Sequence, residues 1–422
     1  MRVQLITHSY LPERTPPERR WAAFVEAFRR EGWEVDVVAP PADPAQVPGG
    51  LRDRPPGRDG GAVRRDTAVD GRQDQGPHGE RILRTLRLPA LSGTRDGRFL
   101  GHVVHALGAI PVALRAQRPD VLVITVPALP TVVAGWLLSR LRRVPLIVEM
   151  RDAWPDLARE SGVSAGVLSR IMEALVTGTQ RAADLVVTVT EGFAERLAER
   201  GIHPVEVVGN GVPLERIRAV PARDREAGEL HVLYLGNHGE SQGLETVIRA
   251  AALTRDEAER IVVRLVGSGT RREALMALNE SLGRPVEMLA AVHGAELREQ
   301  YAWADTCLVA LRPDWPSFEW TIPSKTYELL AVGRHITGIV TGEAARVLES
   351  SGAASLVPAD PGALAGLWRR LAADPRSTAV DGRGRDWVGR NADLSALGRR
   401  FVGLARQAAV RGAAGARPYN RL

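Results

Sequence analysis

The sequence predicts an α/β protein made of two consecutive Rossmann-like domains, each built on a parallel sheet. The first observation is that residues 1–39 read as strand, loop, helix and strand, which is a parallel α/β unit. The second is that the same alternation restarts at Leu230, after a polar connector at residues 221–229. The third is length, since 422 residues suffice for two domains of ordinary size.

The first helix and its neighbouring strands are the clearest elements of the first domain. An apolar strand at residues 2–7 leads into a proline-rich loop at residues 8–17. The segment WAAFVEAF, residues 21–28, then carries large apolar side chains at the spacing of an amphipathic helix. Because ligands of such domains sit outside the carboxyl ends of the strands, we expect the loop at residues 8–17 to touch substrate.

The first domain is assigned to residues 1–213. Its further strands are predicted at residues 81–88, 121–126, 146–149, 185–190 and 205–208. Residues 41–80 break the pattern, because they are dominated by Pro, Gly, Arg, Asp and Gln and hold almost no large apolar side chains. We therefore predict that this segment is a mobile insertion.

Two features of the first domain bear on membranes. Residues 121–139 are uncharged, but two prolines divide them, so we predict strand, loop and helix rather than a bilayer span. A loop containing Arg95 and Arg98 precedes an apolar helix predicted at residues 100–115. This loop is either a surface for an acceptor or a membrane, or an ordinary solvated loop. The arginine-rich flanks leave peripheral membrane contact open.

The second domain is assigned to residues 214–390. Its strands are predicted at residues 230–235, 261–266, 306–311, 335–340 and 354–357. The G-S-G that begins at Gly267 is a weak dinucleotide signature, yet it permits close approach of the backbone to a ligand. Residues 391–422 are predicted to form a C-terminal helix that packs back on the first domain, followed by a frayed basic tail.

Residues 318–333, FEWTIPSKTYELLAVG, predict a helix whose start suits a nucleotide diphosphate. Pro323 stands where an imide fits the first helical turn. Lys325 and Glu328 share one face beside the free first-turn N–H groups. A diphosphate would dock on those N–H groups with Lys325 adding charge, and Glu328 would accept hydrogen bonds from a ribose diol. The alternative is a surface helix with an ordinary Lys–Glu pair.

The composition narrows the compartment and the class of partner. A single cysteine, Cys307, excludes an internal disulfide and fits a reducing cytosol, and its apolar setting argues against a nucleophilic role. The first residues lack the pattern of a signal peptide. The net charge of +6 favours anionic partners such as sugar nucleotides or phospholipid headgroups. Nucleic acid is disfavoured, since no stretch interleaves basic and aromatic residues.

Seven motifs, in order along the chain, resemble those of the retaining glycosyltransferases of family 4. They are RDAWPDLARESG, ADLVVTVTEGFAERLAERG, VVGNGVPLERI, YLGNHGESQGLETVIRAA, RLVGSGTRREAL, ELREQYAWADTCLVAL and IPSKTYELLAVGRHITGIVTGEAARVLESSGAA. The resemblance covers nearly the whole chain and is greatest to the bacterial envelope-polysaccharide subgroup, which includes acetamido-sugar transferases. It implies the GT-B architecture, in which two Rossmann-like domains face a central cleft.

The resemblance also implies an activity. This is transfer of a hexose or N-acetylhexosamine, with retention at the anomeric carbon, from a nucleotide diphosphate donor, foremost UDP. The acceptor would be a hydroxyl of a glycan, a lipid-linked intermediate or a small molecule, and no metal or other cofactor is expected. Such an enzyme would act in the cytoplasm or at the inner face of the membrane.

Individual positions acquire roles from the same resemblance. Asp152 and Arg151 of the first domain, with Lys325, form the implied catalytic set. The implied contacts to the nucleotide sugar are Glu328, Ser324, Gly236, Asn237, Gln242, Gly267 and Glu319. Physically, helix N-termini and cations stabilise the charge that develops on a departing nucleotide diphosphate. The acceptor proton would pass to that same phosphate.

The chain also departs from the family pattern. The first of the family's two paired glutamates would stand at Trp320, and Glu319 is one residue out of register. Asn237 and Gln242 replace the arginine and lysine that commonly hold the diphosphate, and Arg151 replaces a histidine. Two other classes therefore stay open: a nucleotide-binding protein with little or no turnover, and a GT-B enzyme of another type, such as a sugar-nucleotide epimerase or a phosphorylase.

Overall fold

The computed structural model describes residues 1–13, 15–42, 64–65, 73–85, 95–126, 129–151, 167–255 and 259–415. The chain divides into two compact units. The first unit comprises Met1–Asn210 together with Leu394–Leu422, and the second comprises Gly211–Asp393. The chain thus crosses from one unit to the other twice, at positions a few residues from residues 213 and 390.

The first unit is built on a nine-stranded sheet. Its strands are β1 (Arg2–Ile6), β2 (Glu34–Ala39), β3 (Arg64–Arg65), β4 (Gln73–Gln75), β5 (Arg81–Arg84), β6 (Val121–Thr125), β7 (Leu146–Met150), β8 (Leu185–Thr188) and β9 (Val205–Val207). They follow the order β3-β4-β5-β2-β1-β6-β7-β8-β9. The strands from β5 to β9 pair in parallel, and only β3 and β4 at one edge pair antiparallel.

One face of this sheet is covered by α1 (Pro16–Arg30) and α13 (Leu394–Ala413). The two helices meet through an aromatic cluster in which Trp21, Phe24 and Phe401 have ring centroids 5.3–5.6 Å apart. All three rings are almost fully buried, and burial of such side chains is the main source of stability for a layer of this kind. The C-terminal helix therefore belongs to the core of the first unit.

The helices α2 (Arg95–Arg115), α3 (Leu129–Arg142) and α4 (Val167–Arg181) lie side by side, with α3 between the other two and against β6 and β7. Gly135 brings α3 close to the sheet, since a Cβ atom at this position would lie 1.7 Å from Ile124 Cδ1. A short helix, α5 (Glu191–Glu199), follows β8 and packs beside β9. No helix in the described part of the chain is long and apolar enough to cross a membrane.

Two expectations for the first unit were wrong. Residues 73–75, inside the predicted mobile insertion, form a strand paired to β5, held also by an ion pair of 3.2 Å between Asp74 and Arg84. Backbone pairing at a sheet edge requires no large apolar side chain, so composition did not reveal it. Arg95 and Arg98 belong to the first turns of α2 rather than to a loop. Residues 43–63 and 66–72 of the insertion lie outside the described residues.

The second unit is built on a six-stranded sheet that is parallel throughout. Its strands are β10 (Glu229–Asn237), β11 (Arg260–Ser268), β12 (Val286–Leu289), β13 (Thr306–Ala310), β14 (His335–Ile339) and β15 (Ala354–Leu356), in the order β12-β11-β10-β13-β14-β15. All six carboxyl ends therefore meet at one edge of the sheet.

Helices cover both faces of this second sheet. They are α6 (Glu245–Ala252), α7 (Arg272–Ser281), α8 (Ala295–Trp303), α9 (Ser324–Val332), α10 (Gly342–Ser351), α11 (Pro361–Ala373) and α12 (Arg383–Asn391). Helices α6, α7 and α11 share one core cluster around Trp368, and α8, α9, α10 and α12 share the other around Leu330. The sequence patterns did not reveal β12, α8, α10 or α12.

Candidate functional site

The start of α9 is the centre of the candidate site in the second unit. The helix runs from Ser324 to Val332, follows Pro323 and ends at Gly333, whose φ of +82° is left-handed. Thr326, Tyr327, Leu329 and Leu330 bury the inner face of the helix. No described side chain caps its N-terminus, and of the first-turn N–H groups that of Thr326 donates to the Pro323 carbonyl at 2.9 Å, which leaves those of Ser324 and Lys325 to bind an anion.

Lys325 and Glu328 lie together on the outer face of α9, as predicted. The ammonium nitrogen of Lys325 is 3.0 Å from Oε2 of Glu328, and both side chains are partly exposed. Tyr301 completes a triangle, since its hydroxyl donates to Oε1 of Glu328 at 2.7 Å and accepts from Lys325 Nζ at 3.3 Å. The carboxylate is thus held by two donors from two different helices.

Tyr301 is a site residue that sequence reasoning missed. Tyr301 lies on α8 and is the single buried residue of that helix. The sequence therefore has no apolar stripe there that would predict the helix or the direction of this side chain. The ring is 3 % exposed while its hydroxyl reaches Glu328. This burial makes Tyr301 a rigid support for the more exposed carboxylate.

Gly267 and Gly269 let the backbone at the end of β11 lie close to the backbone at the end of β10. Gly236 pairs with Gly267 in the register of the two strands. At Gly267, where φ is +152°, a Cβ atom would lie 1.9 Å from the carbonyl oxygen of Gly236. At Gly269, where φ is +158°, it would lie 2.5 Å from the carbonyl of His238. Side chains larger than hydrogen are therefore excluded at both positions, and the backbone of both loops stays uncovered.

The loop after β10 holds itself in shape with its own side chains. Gln242 accepts a hydrogen bond of 3.1 Å from the backbone N–H of Gly239. Tyr234 donates to the backbone carbonyl of Asn237 at 2.8 Å, and the Asn237 residue itself is exposed. Arg312, which follows β13, connects the end of that strand to this loop, because its guanidinium is 3.0 Å from the carboxylate of Glu240. Gln242 thus has a local structural role, whereas Asn237 faces solvent.

Glu319 and Trp320 lie in a 3-10 helix, Pro316–Trp320, just before α9. The Glu319 side chain is exposed and that of Trp320 is half-buried. The backbone of Glu319 is fixed by close contact with α10, because a Cβ atom at Gly342 would lie 2.0 Å from the Glu319 carbonyl oxygen. The loop that precedes α9 is therefore held in place while the Glu319 carboxylate points outward.

In the first unit, polar side chains gather where β1 and β7 end. His8 follows β1, Arg151 follows β7, and His102 and His105 come from α2. The rings of His8 and His102 meet edge to face with centroids 5.9 Å apart. The Nδ1 atom of His8 and the Nε atom of Arg151 are buried without a hydrogen-bond partner among the described residues. Sequence reasoning named Arg151 and the loop that begins at His8, but it missed His102 and His105, which join them only through the tertiary fold.

Two of these histidines, His8 and His105, are held in the neutral form. Burial, and then the charges of His102, Arg151 and His105, lower the pKa of His8 to about 3. Burial, and then His102, lower the pKa of His105 to about 4. His105 also shares a hydrogen bond of 2.8 Å with the hydroxyl of Thr85. At neutral pH His8 and His105 therefore carry no charge beside the Arg151 guanidinium.

A buried ion pair anchors the strand that carries Arg151. Glu149, near the end of β7, is fully buried, and its carboxylate is 2.8 Å from Arg20 Nε and 2.8 Å from Thr125 Oγ1. Arg20 also donates to the carbonyl of Val208, so this one guanidinium ties α1, β7 and the end of β9 together. Removal of one partner would leave a buried uncompensated charge, which is strongly destabilising.

Asp152, proposed beside Arg151, lies outside the described residues. Cys307 is buried in β13, and burial raises its pKa to about 12, so the thiol is inert as a nucleophile. The remaining predicted positions, Ser324, Gly236 and Asn237, all lie at helix starts or strand ends on the described part of the second unit.

Two family models match this chain. Residues 17–211 match the glycosyl transferase 4-like domain, and residues 229–374 match the glycosyl transferases group 1. Among curated proteins, the chain is 26% identical over 249 residues to a protein of Escherichia coli K12 described as a putative colanic acid biosynthesis glycosyl transferase, WcaI. That match spans 55% of this chain and 60% of the relative.

Solved structures of similar fold cover almost the whole chain. The sucrose-phosphate synthase of Thermosynechococcus elongatus superposes with a TM-score of 0.70 at 19% identity, covering 96% of this chain and 98% of the other. Anabaena HepE in complex with UDP and glucose has a TM-score of 0.67 at 14% identity, covering 96% and 100%. The lipopolysaccharide glycosyltransferase WaaG has a TM-score of 0.61 at 14% identity, covering 96% and 99%. The predicted GT-B fold class, with two parallel-sheet α/β domains, is confirmed.

Proposed function

The chain belongs to the glycosyltransferases whose first domain is 4-like and whose second is of group 1, and from this premise we propose its reaction. The proposed reaction moves a sugar from a UDP-sugar to a hydroxyl of a glycan, a lipid-linked intermediate or a small molecule, with retention at the anomeric carbon. A hexose or an N-acetylhexosamine is the proposed sugar. The proposed compartment is the cytoplasm or the inner face of the membrane.

The observation that carries this proposal is the triangle of Glu328, Lys325 and Tyr301 at the open start of α9. A carboxylate positioned by two donors can accept hydrogen bonds from two vicinal hydroxyls, which is what a ribose diol offers. The first-turn N–H groups lie on the same helix, one turn earlier. One helix would therefore bind both the ribose and the diphosphate.

The same helix start would stabilise the leaving group. As the bond between the anomeric carbon and the β-phosphate oxygen breaks, negative charge grows on the phosphate. Helix N–H groups and the Lys325 ammonium are fixed donors aimed at such charge, so we propose that no metal is required. The acceptor oxygen would form its bond to the anomeric carbon on the face that the phosphate leaves, and its proton would pass to that phosphate.

The first unit would contribute the acceptor side. Arg151 carries a positive charge beside neutral His8, with a buried nitrogen on each that has no partner among the described residues. Such groups suit the hydroxyl oxygens or the anionic groups of a bound sugar. Asp152 is proposed to complete this set. The likeness to WcaI supports a surface-polysaccharide precursor as the acceptor, and HepE, whose structure holds UDP and glucose, supports UDP as the nucleotide.

The proposal is tested by turnover of UDP-glucose, UDP-galactose and their N-acetylamino counterparts in EDTA, with candidate lipid-linked and free glycan acceptors. A retaining transferase would release UDP only when acceptor is present. NMR of its product would show the same anomeric configuration as the sugar in the donor. Conversion of the donor without acceptor would identify an epimerase instead, and turnover that needs inorganic phosphate would identify a phosphorylase.

A second candidate function is nucleotide binding without turnover. It is favoured by Gln242, which spends its side-chain oxygen on the Gly239 N–H of its own loop, and by the exposed, uncharged Asn237. Neither supplies the positive charge that the family pattern places there. UDP binding in the absence of any donor consumption, across the whole acceptor panel, would select this function.

A further inference from the structure

Large apolar side chains are exposed on three neighbouring helices of the first unit. Among the described residues, thirteen large apolar side chains are exposed, and eight of these lie on α2, α3 and α4. The eight are Leu100, Leu107, Leu114, Trp136, Leu137, Leu141, Ile171 and Leu175. The other five are scattered over the rest of the described chain, so this clustering is a property of one surface. We call these eight residues the apolar face.

The helical spacing puts these residues on the outer side of each helix. Leu100, Leu107 and Leu114 recur every seven residues on α2, so they form one stripe along it. Ile171 and Leu175 are four apart on α4, again one above the other. Because α3 lies between α2 and α4, the three stripes are neighbours.

The C-terminal ends of α2 and α3 are fastened to each other. Arg142, at the end of α3, donates to the carbonyls of Ala113 and Ala116 at 2.9 and 2.8 Å. Arg118 donates back to the carbonyl of Arg142 at 2.9 Å. Leu114 and Leu141 are therefore held at the same end of the surface. At this end the apolar face is thus carried by two helices that are hydrogen-bonded together, rather than by a loop.

Arginines frame the apolar face, and most lack an acidic partner. Arg115, Arg140, Arg143 and Arg170 are exposed and form no ion pair with the described residues. The guanidinium of Arg140 is 6.0 Å from the ring centroid of Trp136. The three helices hold two acidic residues, Glu173 on α4 and Asp96 in the first turn of α2, and the side chain of Asp96 lies outside what the structure describes. The surface therefore joins apolar side chains to a net positive charge.

We propose that the apolar face docks on the surface of an anionic lipid bilayer. Leucines, an isoleucine and a tryptophan on helices that lie parallel to a surface enter the boundary between headgroups and acyl chains, while arginines at their ends bind lipid phosphates. Charge complementarity selects this occupant, since an anionic leaflet attracts basic residues beside an inserted apolar surface. The surface would bring the first unit to acceptors that reside in the membrane. This inference rests on the apolar face and its arginines, and not on the proposed reaction.

The proposed membrane surface is defined without the predicted basic residues Arg95 and Arg98. These two residues are part of α2, and their side chains lie outside what the structure describes. The exposed leucines and the arginines at the other end of α2 and α3 carry the inference instead.

The test is co-sedimentation of the full chain with vesicles of phosphatidylcholine alone or with phosphatidylglycerol. We expect sedimentation only with the anionic vesicles, weakening as salt is raised. The double variant Leu107→Glu/Leu141→Glu should bind at least about tenfold less, because it puts two carboxylates into the inserted surface. Arg115→Gln/Arg140→Gln/Arg170→Gln should lose a large part of the anionic preference, since each arginine near such a surface is worth roughly a fivefold gain in affinity.

Matched controls keep the test specific. Met276→Glu/Val410→Glu places the same charges at exposed helical positions away from the apolar face, and Arg249→Gln/Arg298→Gln/Arg390→Gln removes the same number of exposed arginines elsewhere. Both controls should bind like the wild type, and unchanged melting curves would show that all variants fold.

Three results would overturn the proposal. One is a wild-type chain that stays in the supernatant with every vesicle. Another is a Leu107→Glu/Leu141→Glu variant that sediments as the wild type does. The third is a wild-type dimer, measured by analytical ultracentrifugation, that this variant converts to a monomer without any vesicle binding, which would assign the apolar face to a second copy of the chain. Failure to find a sugar donor would leave all of these results unaffected.

Discussion

The candidate sites of the two units lie near the ends of their sheet strands. They differ in whether their polar side chains are hydrogen-bonded to one another. In the second unit, Glu328, Lys325 and Tyr301 bond to one another, so their geometry is fixed before any ligand arrives. In the first unit, His8 and Arg151 bury nitrogen atoms that have no partner among the described residues. A site of the first kind is preorganised, whereas one of the second kind gains its missing hydrogen bonds when a ligand binds.

The largest effect is expected from Glu328→Ala, which removes the carboxylate proposed to accept hydrogen bonds from the ribose. Loss of two charge-assisted hydrogen bonds should weaken UDP binding by about 100-fold. Isothermal titration calorimetry measures this, with Glu349→Ala on α10, an exposed glutamate, as the matched control. UDP binding that is equal in the two variants would remove Glu328 from the site.

A pH-dependent loss of stability is expected in both units. Burial lowers the pKa of His105 in the first unit and of His335 in the second from 6.5 to about 4. As the pH falls below 6.5, the unfolded chain takes up protons that the folded chain excludes. The stability that each buried neutral histidine contributes is therefore fully present above pH 6.5 and decreases progressively as the pH falls to about 4. For each of these histidines, the free energy of unfolding should fall by about 2 kcal/mol when the pH is lowered from 7 to 5.

Thermal unfolding at pH 7 and pH 5 measures this loss. Replacement by glutamine at either position should reduce the difference between the two pH values, whatever it does to stability at pH 7. The control is the same replacement at His78, a half-buried residue of the first unit. A pH dependence that is the same in all three variants would contradict the assignment.

Lys325→Ala distinguishes the two parts of the nucleotide. If the ammonium binds the diphosphate, UDP affinity should fall by about tenfold while uridine affinity changes little. The structure also allows the other outcome, because Lys325 supports Glu328 at 3.0 Å. Equal loss for UDP and uridine in calorimetry would make Lys325 a positioning residue of the ribose site.

The smallest effects contrast Tyr301 with His8. Tyr301→Phe removes a satisfied hydrogen bond and should cost about 1 kcal/mol of stability and a few-fold in UDP affinity. His8→Phe removes a buried nitrogen that is without a partner in the described chain, so it should leave the melting temperature unchanged or higher while lowering transfer. Melting curves that rank the two variants in the reverse order would contradict the contrast between the units.

Periodicity and turn residues predicted most of this fold, because strong apolar repeats decide where helices and strands lie. The segment WAAFVEAF became α1, and the spacing of Lys325 and Glu328 placed both on one face of α9. Helix α8 was missed because it buries only Tyr301. Its contribution to the site depends on tertiary packing between residues far apart in sequence.

The first-unit cluster shows the same limit more sharply. His8, His105 and Arg151 come from three separate elements, and only the order of strands in the sheet brings them together. Gln242 illustrates a different limit, since the sequence names a polar residue in a loop but does not say that the residue bonds to its own loop. Motifs located the second-unit site, and topology was needed for the first.

The central claim is that the start of α9 binds a nucleotide diphosphate without metal, and a thermal-shift panel tests it most directly. The wild-type chain would be heated in EDTA with UDP, GDP, dTDP, ADP or uridine, all at one concentration well above the dissociation constant of UDP. A ligand at 100 times that constant stabilises the folded state by about 2.7 kcal/mol. The account predicts a rise of several degrees with UDP, less with uridine and no further rise when magnesium is added. No rise with any nucleotide, or a rise that appears only with magnesium, would contradict it.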